Sequence, residues 1–537
     1  MLRVFAAALT VCILGAQSAP SPQARRLRAD LEFLCSDALG GRASLTREAD
    51  VAARYIAAEF ERSGLAPVVN GSYLQPFPLV GYRSDPAARG LTVTRRGESR
   101  MFRAGTDFTA AFYRDVHLRA PVVFVGYGIT APEYNYDDYA GVETAGKIVA
   151  MFDHEPREDD PKSVFNGTGH TLHAGRLIKV ANARRHGAVA VLIASEPLRR
   201  HSGLLQTAAA PSQGQPLRAT APPQSLDDDG QIPVFSIGDD VLTFLLSDRK
   251  PADLQREIDG SLRPHSLALA ETAAELRSAN AETHRGTSMN VLGLLEGADP
   301  ALKNETIVID AHYDHLGVHN GRVYPGANDN ASGTVAVMEL ARMFAGAAAA
   351  ARPKRSILFV EFGSEEQLML GSFYYVAHPP RPLATTRAVL NLDMIARDEA
   401  HIPQSQGVLD IPVDTSNRLN IVGAYYSADL LAAIQRNNDT GLVLDTKFDR
   451  DHILNALFRC DHLPFLTVGV PAVWLFGGFH PGYHEPVDTV DKLNFPKMEK
   501  TIRLTYNTTM HLANAAQTPR FDPFTRGSDR DTPTAPR

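Results

Sequence analysis

Polar and apolar positions change texture three times along the chain. Over residues 29–64, Val51, Tyr55, Ile56 and Phe60 recur at helical spacing and Gly64 ends the run, which predicts helix. Residues 19–28 before it read as a polar leader. From about Ala120 the runs become short and β-like, at 121–125, 147–152, 188–194 and 232–237, with a helical stretch at 176–186 stopped by Gly187. Between them, 197–230 is rich in Pro, Gln, Ser and Asp, the composition of a surface loop. From Thr287 onward strands and helices alternate. Strands are predicted at 306–311, 356–362, 388–394 and 472–476, and a helix at 332–345 carries Val337, Leu340, Ala341 and Phe344 on one face. Continuous apolar runs suit strands buried on both faces. Alternation of this kind predicts an α/β domain with a mixed, mostly parallel sheet sandwiched by helices. In such sheets, ligands sit at the carboxyl ends of the strands. Residues 517–537 are polar and proline-rich and read as a disordered tail.

Length and composition narrow the class. A chain of 537 residues is too long for one ordinary core, so two domains plus tails are expected. Hydrophobic residues at 44% and charged residues at 21% are those of a globular protein. The net charge is -7 with no long basic run, which argues against nucleic acid or an anionic membrane as partner. Arg3, the apolar run 4–15 and the small residues of Ala16-Gln17-Ser18 predict a signal peptide over 1–18, and so a secreted or periplasmic protein. The apolar run is too short to span a bilayer. Cys12 would leave with the signal. Cys35 and Cys460 then either pair or remain two separate thiols.

Five segments of the α/β part place acids or histidines just after an apolar strand or in a nearby loop. They are Ala311-His312-Tyr313-Asp314-His315-Leu316-Gly317, Gly326-Ala327-Asn328-Asp329-Asn330-Ala331-Ser332-Gly333, Glu361-Phe362-Gly363-Ser364-Glu365-Glu366, Asn391-Leu392-Asp393-Met394 and Tyr483-His484-Glu485-Pro486. Each alone is weak, because a strand-end Asp is often only a helix cap and a Glu pair is often only solvated. Together they supply imidazole and carboxylate ligands without thiolates, a set that suits zinc, manganese or cobalt in a hydrolytic site. Two metals at ~3.5–4 Å need five or six such ligands, one of them shared. By contrast, the block from Ala120 to Ile237 offers no clustered His, Cys or carboxylates at ligand spacing.

The ordered set His-x-Asp, Gly-Ala-Asn-Asp-Asn-x-Ser-Gly, Glu-Glu, Asn-Leu-Asp-Met and Tyr-His-x-Pro closely resembles the co-catalytic zinc aminopeptidases. These share a superfamily with glutamate carboxypeptidases and glutaminyl cyclases. The opening Leu31-Glu32-Phe33-Leu34-Cys35-Ser36-Asp37 with Gly41-Arg42 is similar to bacterial members. The motifs Gly126-Tyr127-Gly128-Ile129, Ala131-Pro132-Glu133 and Gly146-Lys147-Ile148-Val149 resemble a protease-associated domain. The resemblance implies a peptidase domain in two parts, 28–118 and 280–515, split by an inserted β-rich protease-associated domain at 119–279 and followed by a tail at 516–537. It implies two Zn2+ ions per chain. Asp329 would bridge them, His312 and Asp393 would complete one, and Glu366 and His484 the other. Glu365 would be the general base, Asp314 would accept the free ring N–H of His312, and Tyr483 would donate to the developing oxyanion. His315 stands as an alternative to His312, and His480 to His484, although Pro481, Gly482 and Pro486 make that segment a loop. In relatives the Asp329–Asn330 bond is cis. Leu368 stands where relatives commonly have Gly, and Gly482 where they commonly have Asp.

The implied activity is hydrolysis of the N-terminal residue of peptides, with the free amine near Glu365 and Asp393. Tyr425, Tyr426, Phe448, Phe476 and Phe479 are expected either to line the substrate pocket or to be core. A carboxypeptidase or dipeptidase on the same centre is the alternative, with Arg397, Arg450 and Arg459 available for a terminal carboxylate. A non-catalytic, receptor-like binding protein is a further one. The sequence is silent on oligomeric state.

Overall fold

The computed structural model describes residues 21–199, 223–228, 230–347 and 352–523. The expected signal peptide lies outside them, as do most of the 197–230 loop and the tail beyond 523. No helix among the described residues is long and apolar enough to cross a membrane.

Two sheets organise the chain. The first has ten strands. At its centre Ser356–Phe362, Thr306–His312, Thr386–Asp393 and Ala472–Phe476 run parallel, in that spatial order. In this register His312 pairs with Phe362, and Asp393 with Phe476, so the four carboxyl ends finish level. Antiparallel strands flank this centre. Asn280–Leu295 joins Ser356–Phe362 on one side, and Arg418–Val422 joins Ala472–Phe476 on the other. The sheet is therefore mixed within an α/β fold, parallel where it is buried on both faces.

Alternation of side chains divides the core in two. Ile307, Ile309, Ile357 and Phe359 face a layer formed by helices Ala24–Leu34, Arg47–Arg62, Ser332–Ala345 and Phe495–Asn514. Val308, Leu358 and Val360 face the opposite layer, with Tyr375, Phe465 and Leu466. Every residue of the three strands Thr306–His312, Ser356–Phe362 and Ala472–Phe476 is buried, which is why they read as unbroken apolar runs.

The helix expected over 29–64 is two helices, Ala24–Leu34 and Arg47–Arg62. The chain turns between them through Gly40, Gly41, Arg42 and Leu45, all at positive φ. Gly41 has no substitute: at φ 69°, an added Cβ would lie 2.3 Å from the Tyr324 carbonyl oxygen and 2.7 Å from that of Gly317.

The second sheet has eight strands, ordered Glu98–Phe102, Gly90–Arg95, Leu267–Ser278, Val116–Phe124, Ile148–Phe152, Ala190–Ala194, Val234–Ile237 and Phe108–Ala110. It has its own core, with Phe124, Ile148, Phe152, Leu192, Phe235 and Leu254. The boundary drawn at 118/119 falls inside the Val116–Phe124 strand, and this sheet draws its first strand from Gly90. The chain passes from the second sheet back to the first between Ser278 and Asn280. One segment crosses over: Gln224–Leu226, read as loop, adds an edge strand to Leu74–Ser84 of the first sheet.

The two sheet units meet along 166–175 and 449–458. Asn166 Nδ2 donates to the Asp449 carbonyl at 3.1 Å, and Gly175 lies against the Phe458 ring. Nearby, the Leu172 N–H donates to the Tyr426 hydroxyl at 2.8 Å. The start of the expected disordered tail is also held. Phe521 stacks on Tyr426 with centroids 5.5 Å apart, and the Asp522 N–H donates to the Tyr426 carbonyl.

Candidate metal centre

The level carboxyl ends of the four parallel strands gather the chemistry. His312 and Asp393 are the last residues of their strands. Glu365 and Glu366 open a short 3-10 turn three residues after Phe362. His484 sits in the loop that follows Ala472–Phe476. Asp329 arrives from the segment 327–331, which enters the Ser332–Ala345 helix, and its bond to Asn330 is cis.

Asp329 is the residue where two groups meet. His312, Asp329 and Asp393 form one set with ligand atoms mutually within 4.8 Å, and His315, Asp329 and Glu366 form another. Asp329 Oδ1 lies 3.5 Å from His312 Nε2, which is 3.6 Å from Asp393 Oδ1. Asp329 Oδ2 lies 3.0 Å from His484 Nε2, which is 3.2 Å from Glu366 Oε2. Zinc at ~2.0–2.2 Å from N and O donors in a tetrahedron separates its ligand atoms by about 3.3–3.5 Å. The four distances bracket that edge. His312 Nε2 and Asp393 Oδ1 are buried and have no hydrogen-bond partner among the described residues, as expected of atoms that face an ion. The residues present therefore fit zinc.

The alternatives separate on distance. His315 Nδ1 lies 2.7 Å from Glu366 Oε1 but 3.9 Å from Asp329 Oδ2, the geometry of a hydrogen bond that orients Glu366. His480 is buried against Asn328, with its Nε2 3.0 Å from Asn328 Nδ2, and burial drives it down to about 3, so it stays neutral.

Burial and crowding set the charges. Burial pushes Glu365 well up, opposed by His312. Burial would lower His484, but Glu366 and Asp329 raise it to about 10. His312 is likewise driven up by Glu365 and Asp393 against its own burial. The carboxylates thus draw positive charge into the site, which a metal dication would supply more fully than imidazolium.

Asp314 departs from its expected part. His312 Nδ1 donates to the Asp314 main-chain carbonyl at 3.1 Å, whereas the Asp314 carboxylate is 3.7 Å away. That carboxylate accepts the Glu365 N–H at 3.0 Å and the Ser44 hydroxyl at 3.2 Å, and so holds the Glu-Glu turn in place. The Tyr483 ring lies stacked on His484, centroids 3.9 Å apart, and edge-on to Phe479. Of the aromatic candidates, Phe448, Phe476 and Phe479 form a buried cluster with Met394, Trp474 and Cys460 that Tyr483 joins at its edge. Tyr426 belongs to a separate buried cluster, with Ala472 and Phe465, and Tyr425 packs against it.

Several supports had no signal in the spacing. Asp488 Oδ2 accepts the main-chain N–H groups of Asn328 and Asp329 at 2.9 and 3.1 Å. Trp474 Nε1 donates to the Asp393 carbonyl at 3.0 Å. Cys460 is a free, buried thiol 3.1 Å from Asp393 Oδ2, and Cys35 is also free, so the two are unpaired. Burial pushes the Cys460 thiol up, which keeps its proton available to donate. Arg42 is wholly buried and donates to the carbonyls of Tyr313, Leu34, Pro325 and Gly326, pinning the turn after His312 to the approach to Asp329.

A cluster of ligand-type side chains also exists where none was expected. His154, Glu158 and His170, in the second unit, bring ligand atoms within 4.8 Å of one another. The spacing His154-x-x-x-Glu158 was the available hint.

Residues 290–509 match the family described as Peptidase family M28. A probable zinc metalloprotease of Leptosphaeria maculans is 30% identical over 204 residues, covering 34% of this chain and 45% of that protein. Aminopeptidase YwaD of Bacillus subtilis is 25% identical over 227 residues, covering 40% and 42%. Each match thus spans less than half of the relative's length. Among solved structures, an aminopeptidase from Aneurinibacillus sp. strain AM-1 aligns over 94% of this chain and 96% of its own at 20% identity, with a TM-score of 0.48. All five strand-end motifs lie within the matched stretch, so residues 290–509 are similar to Peptidase family M28 over the part of the chain that carries the candidate site.

Proposed function

We propose that this chain is a secreted zinc aminopeptidase with a dinuclear centre. The observation that carries the reading is the placement of the two Asp329 oxygens, one toward His312 and the other toward His484. A carboxylate so placed suits one ligand shared by two ions. His312 and Asp393 would complete one ion, and Glu366 and His484 the other. Bound there, the zinc pair supplies Lewis acidity to the scissile carbonyl and acidifies a water.

The chain's own residues do the rest. Glu365, only 9% exposed, takes a proton from the attacking water and returns it to the leaving amine nitrogen as the C–N bond breaks. Its Oε2, 3.7 Å from His312 Nε2, faces the ligand set. Asp314 holds the Glu365 main chain, and Tyr483 donates to the carbonyl oxygen as charge develops on it. The substrate's free amine sits beside Glu365 and Asp393, and its side chain against the Phe448–Phe476–Phe479 cluster. The sheet unit built from Gly90 to Ser278 acts as a protease-associated domain at the mouth of the site.

For a carboxypeptidase, a guanidinium would have to be free for the terminal carboxylate. Arg459 Nε is engaged with the Leu454 carbonyl at 2.6 Å, and Arg397 lies within ion-pair reach of Asp488. Rates on aminoacyl anilides against N-blocked analogues test the choice. Cleavage of the free-amine anilides alone, abolished by chelation and restored by zinc, is the expected result. Cleavage of the blocked analogues alone would overturn the aminopeptidase reading.

A further inference from the structure

The second sheet repeats, on a smaller scale, the placement seen at the first. Ile148–Phe152 and Ala190–Ala194 are adjacent parallel strands with Phe152 opposite Ala194, so their carboxyl ends finish together. His154 and Glu158 follow the first strand and Glu196 the second, and His170 comes in from the loop between them.

His154 Nδ1 lies 3.1 Å from Glu196 Oε1 and 3.4 Å from Glu158 Oε2, and His170 Nε2 lies 3.1 Å from the same Glu158 oxygen. These separations match the tetrahedral ligand edge of about 3.3–3.5 Å as well as those around Asp329 do. A single N–H cannot point at two carboxylates at once, whereas a single ion can be shared by His154, Glu158 and His170, whose ligand atoms lie mutually within 4.8 Å, with the Glu196 carboxylate beside His154. Glu158, Glu196 and His170 are 0, 2 and 3% exposed. Glu196 Oε2 and His170 Nδ1 are buried with no hydrogen-bond partner among the described residues. Buried carboxylates demand compensation. Arg199 contributes to it, with Nη1 3.4 Å from Glu196 Oε1 and Nε 3.9 Å from Glu158 Oε1.

We infer that His154, Glu158, His170 and Glu196 form a separate structural metal site for zinc or a similar imidazole-binding first-row dication. Two imidazoles among four donors exclude the all-oxygen preference of calcium and magnesium. With Glu196 turned in beside His154, four protein donors would close the coordination shell, as in structural rather than catalytic zinc sites. The site lies at the seam between the two units. Three residues of the same 154–175 segment reach the other unit: Asn166 donates to Asp449, Thr168 accepts from His452 Nδ1 at 2.7 Å, and Leu172 donates to Tyr426. An ion here fixes the loop that docks the second unit beside Phe448 and Phe458.

The metal-free rival is an ion-pair cluster closed by a protonated His154, whose carboxylate neighbours lift it to about 9 against its burial. Zinc stoichiometry separates the two without relying on activity. In the full-length chain, Asp329→Ala removes the residue proposed to be shared at the first site and so makes the count independent of that reading. After zinc loading and dialysis, D329A should keep one zinc per chain. Adding His170→Ala, or the isosteric Glu196→Gln, should take it to zero while the far-ultraviolet circular dichroism is unchanged. Cobalt-loaded D329A should show tetrahedral visible absorption that is lost with E196Q. In the otherwise wild-type chain, H170A should lose one equivalent and keep its rate on small anilides. A zinc-free D329A, or a zinc count indifferent to both H170A and E196Q, overturns the site.

Discussion

Glu365→Gln separates the proton-transfer role from the metal-binding one. The amide keeps the volume of the carboxylate, and the main-chain N–H of residue 365 stays on Asp314 Oδ1 at 3.0 Å. No ligand atom is removed, because the four short contacts around Asp329 involve His312, Asp393, His484 and Glu366. Burial already disfavours the charged form of Glu365, so neutralising it should leave the thermal midpoint unchanged or raise it. What is lost is the base. A positioned general base contributes about 10²–10⁴ in rate, or roughly 3–5 kcal/mol of barrier at 1.36 kcal/mol per decade. The assay pairs kcat on an aminoacyl anilide with metal content by elemental analysis. The expected variant holds the wild-type number of zinc ions and turns over at least a hundredfold more slowly. Turnover within tenfold of wild type would refute the assignment of Glu365 as base. Loss of metal would instead make it a ligand.

Three further outcomes test the surrounding fold. Arg42→Met leaves four carbonyl acceptors without their buried cationic donor, and should cost about 3–5 kcal/mol in denaturant unfolding. Arg42→Lys should recover little, since an ammonium cannot span that fork; full recovery would show that charge alone is needed. Leu368 is 64% exposed and held at φ 66°, which costs roughly 1–2 kcal/mol for a residue with a Cβ. Leu368→Gly should therefore stabilise by about 0.5–1 kcal/mol after glycine's own entropy, and a lowered midpoint would contradict this. His462 is wholly buried, and burial lowers it from 6.5 to about 3. Between those values the unfolded chain binds a proton that the native state does not, so stability is held above pH 6.5 and lost as pH falls toward 3. The wild type should lose about 2.5 kcal/mol between pH 7 and 4.5 that His462→Leu does not lose. Equal pH dependence in both would refute it.

Legibility of the fold followed burial. The strands at 356–362 and 472–476 and the helix at 332–345 coincide with their predicted spans, because each is buried almost throughout and its apolar run has nothing to interrupt it. Leu74–Ser84 and Asn280–Leu295 escaped notice for the opposite reason. The first carries Pro76 and Pro78 and alternates buried with exposed positions, and the second is polar over its first half. Those prolines are tolerated because the neighbouring Gln224–Leu226 strand pairs only with Leu79–Gly81, leaving the stretch around them at an edge. The single helix read over 29–64 failed at Gly40-Gly41, where the helical phase of Leu27, Leu31 and Leu34 resumes at Ala49 and Ala52 after a tight turn.

At the site, the same contrast has a chemical form. His312, Asp329, Glu366, Asp393 and His484 could be read because each follows a strand or enters a helix within a compact polar motif, and the five motifs occur in a fixed order. The residues that hold them could not. Asp488 and Trp474 act through main-chain groups of Asn328, Asp329 and Asp393, and a main-chain partner leaves no pattern in side-chain identity. The His154 cluster was hidden by distance of another kind. Its donors are spread over residues 154 to 196, and only the parallel pairing of Ile148–Phe152 with Ala190–Ala194 brings His154 beside Glu196. Ligand spacing along a chain finds sites carried on one helix or one loop. A site made by two neighbouring strand ends follows from the strand order, which is why the candidate residues around Asp329 were legible only as a set of motifs and the second cluster only once the sheet was known.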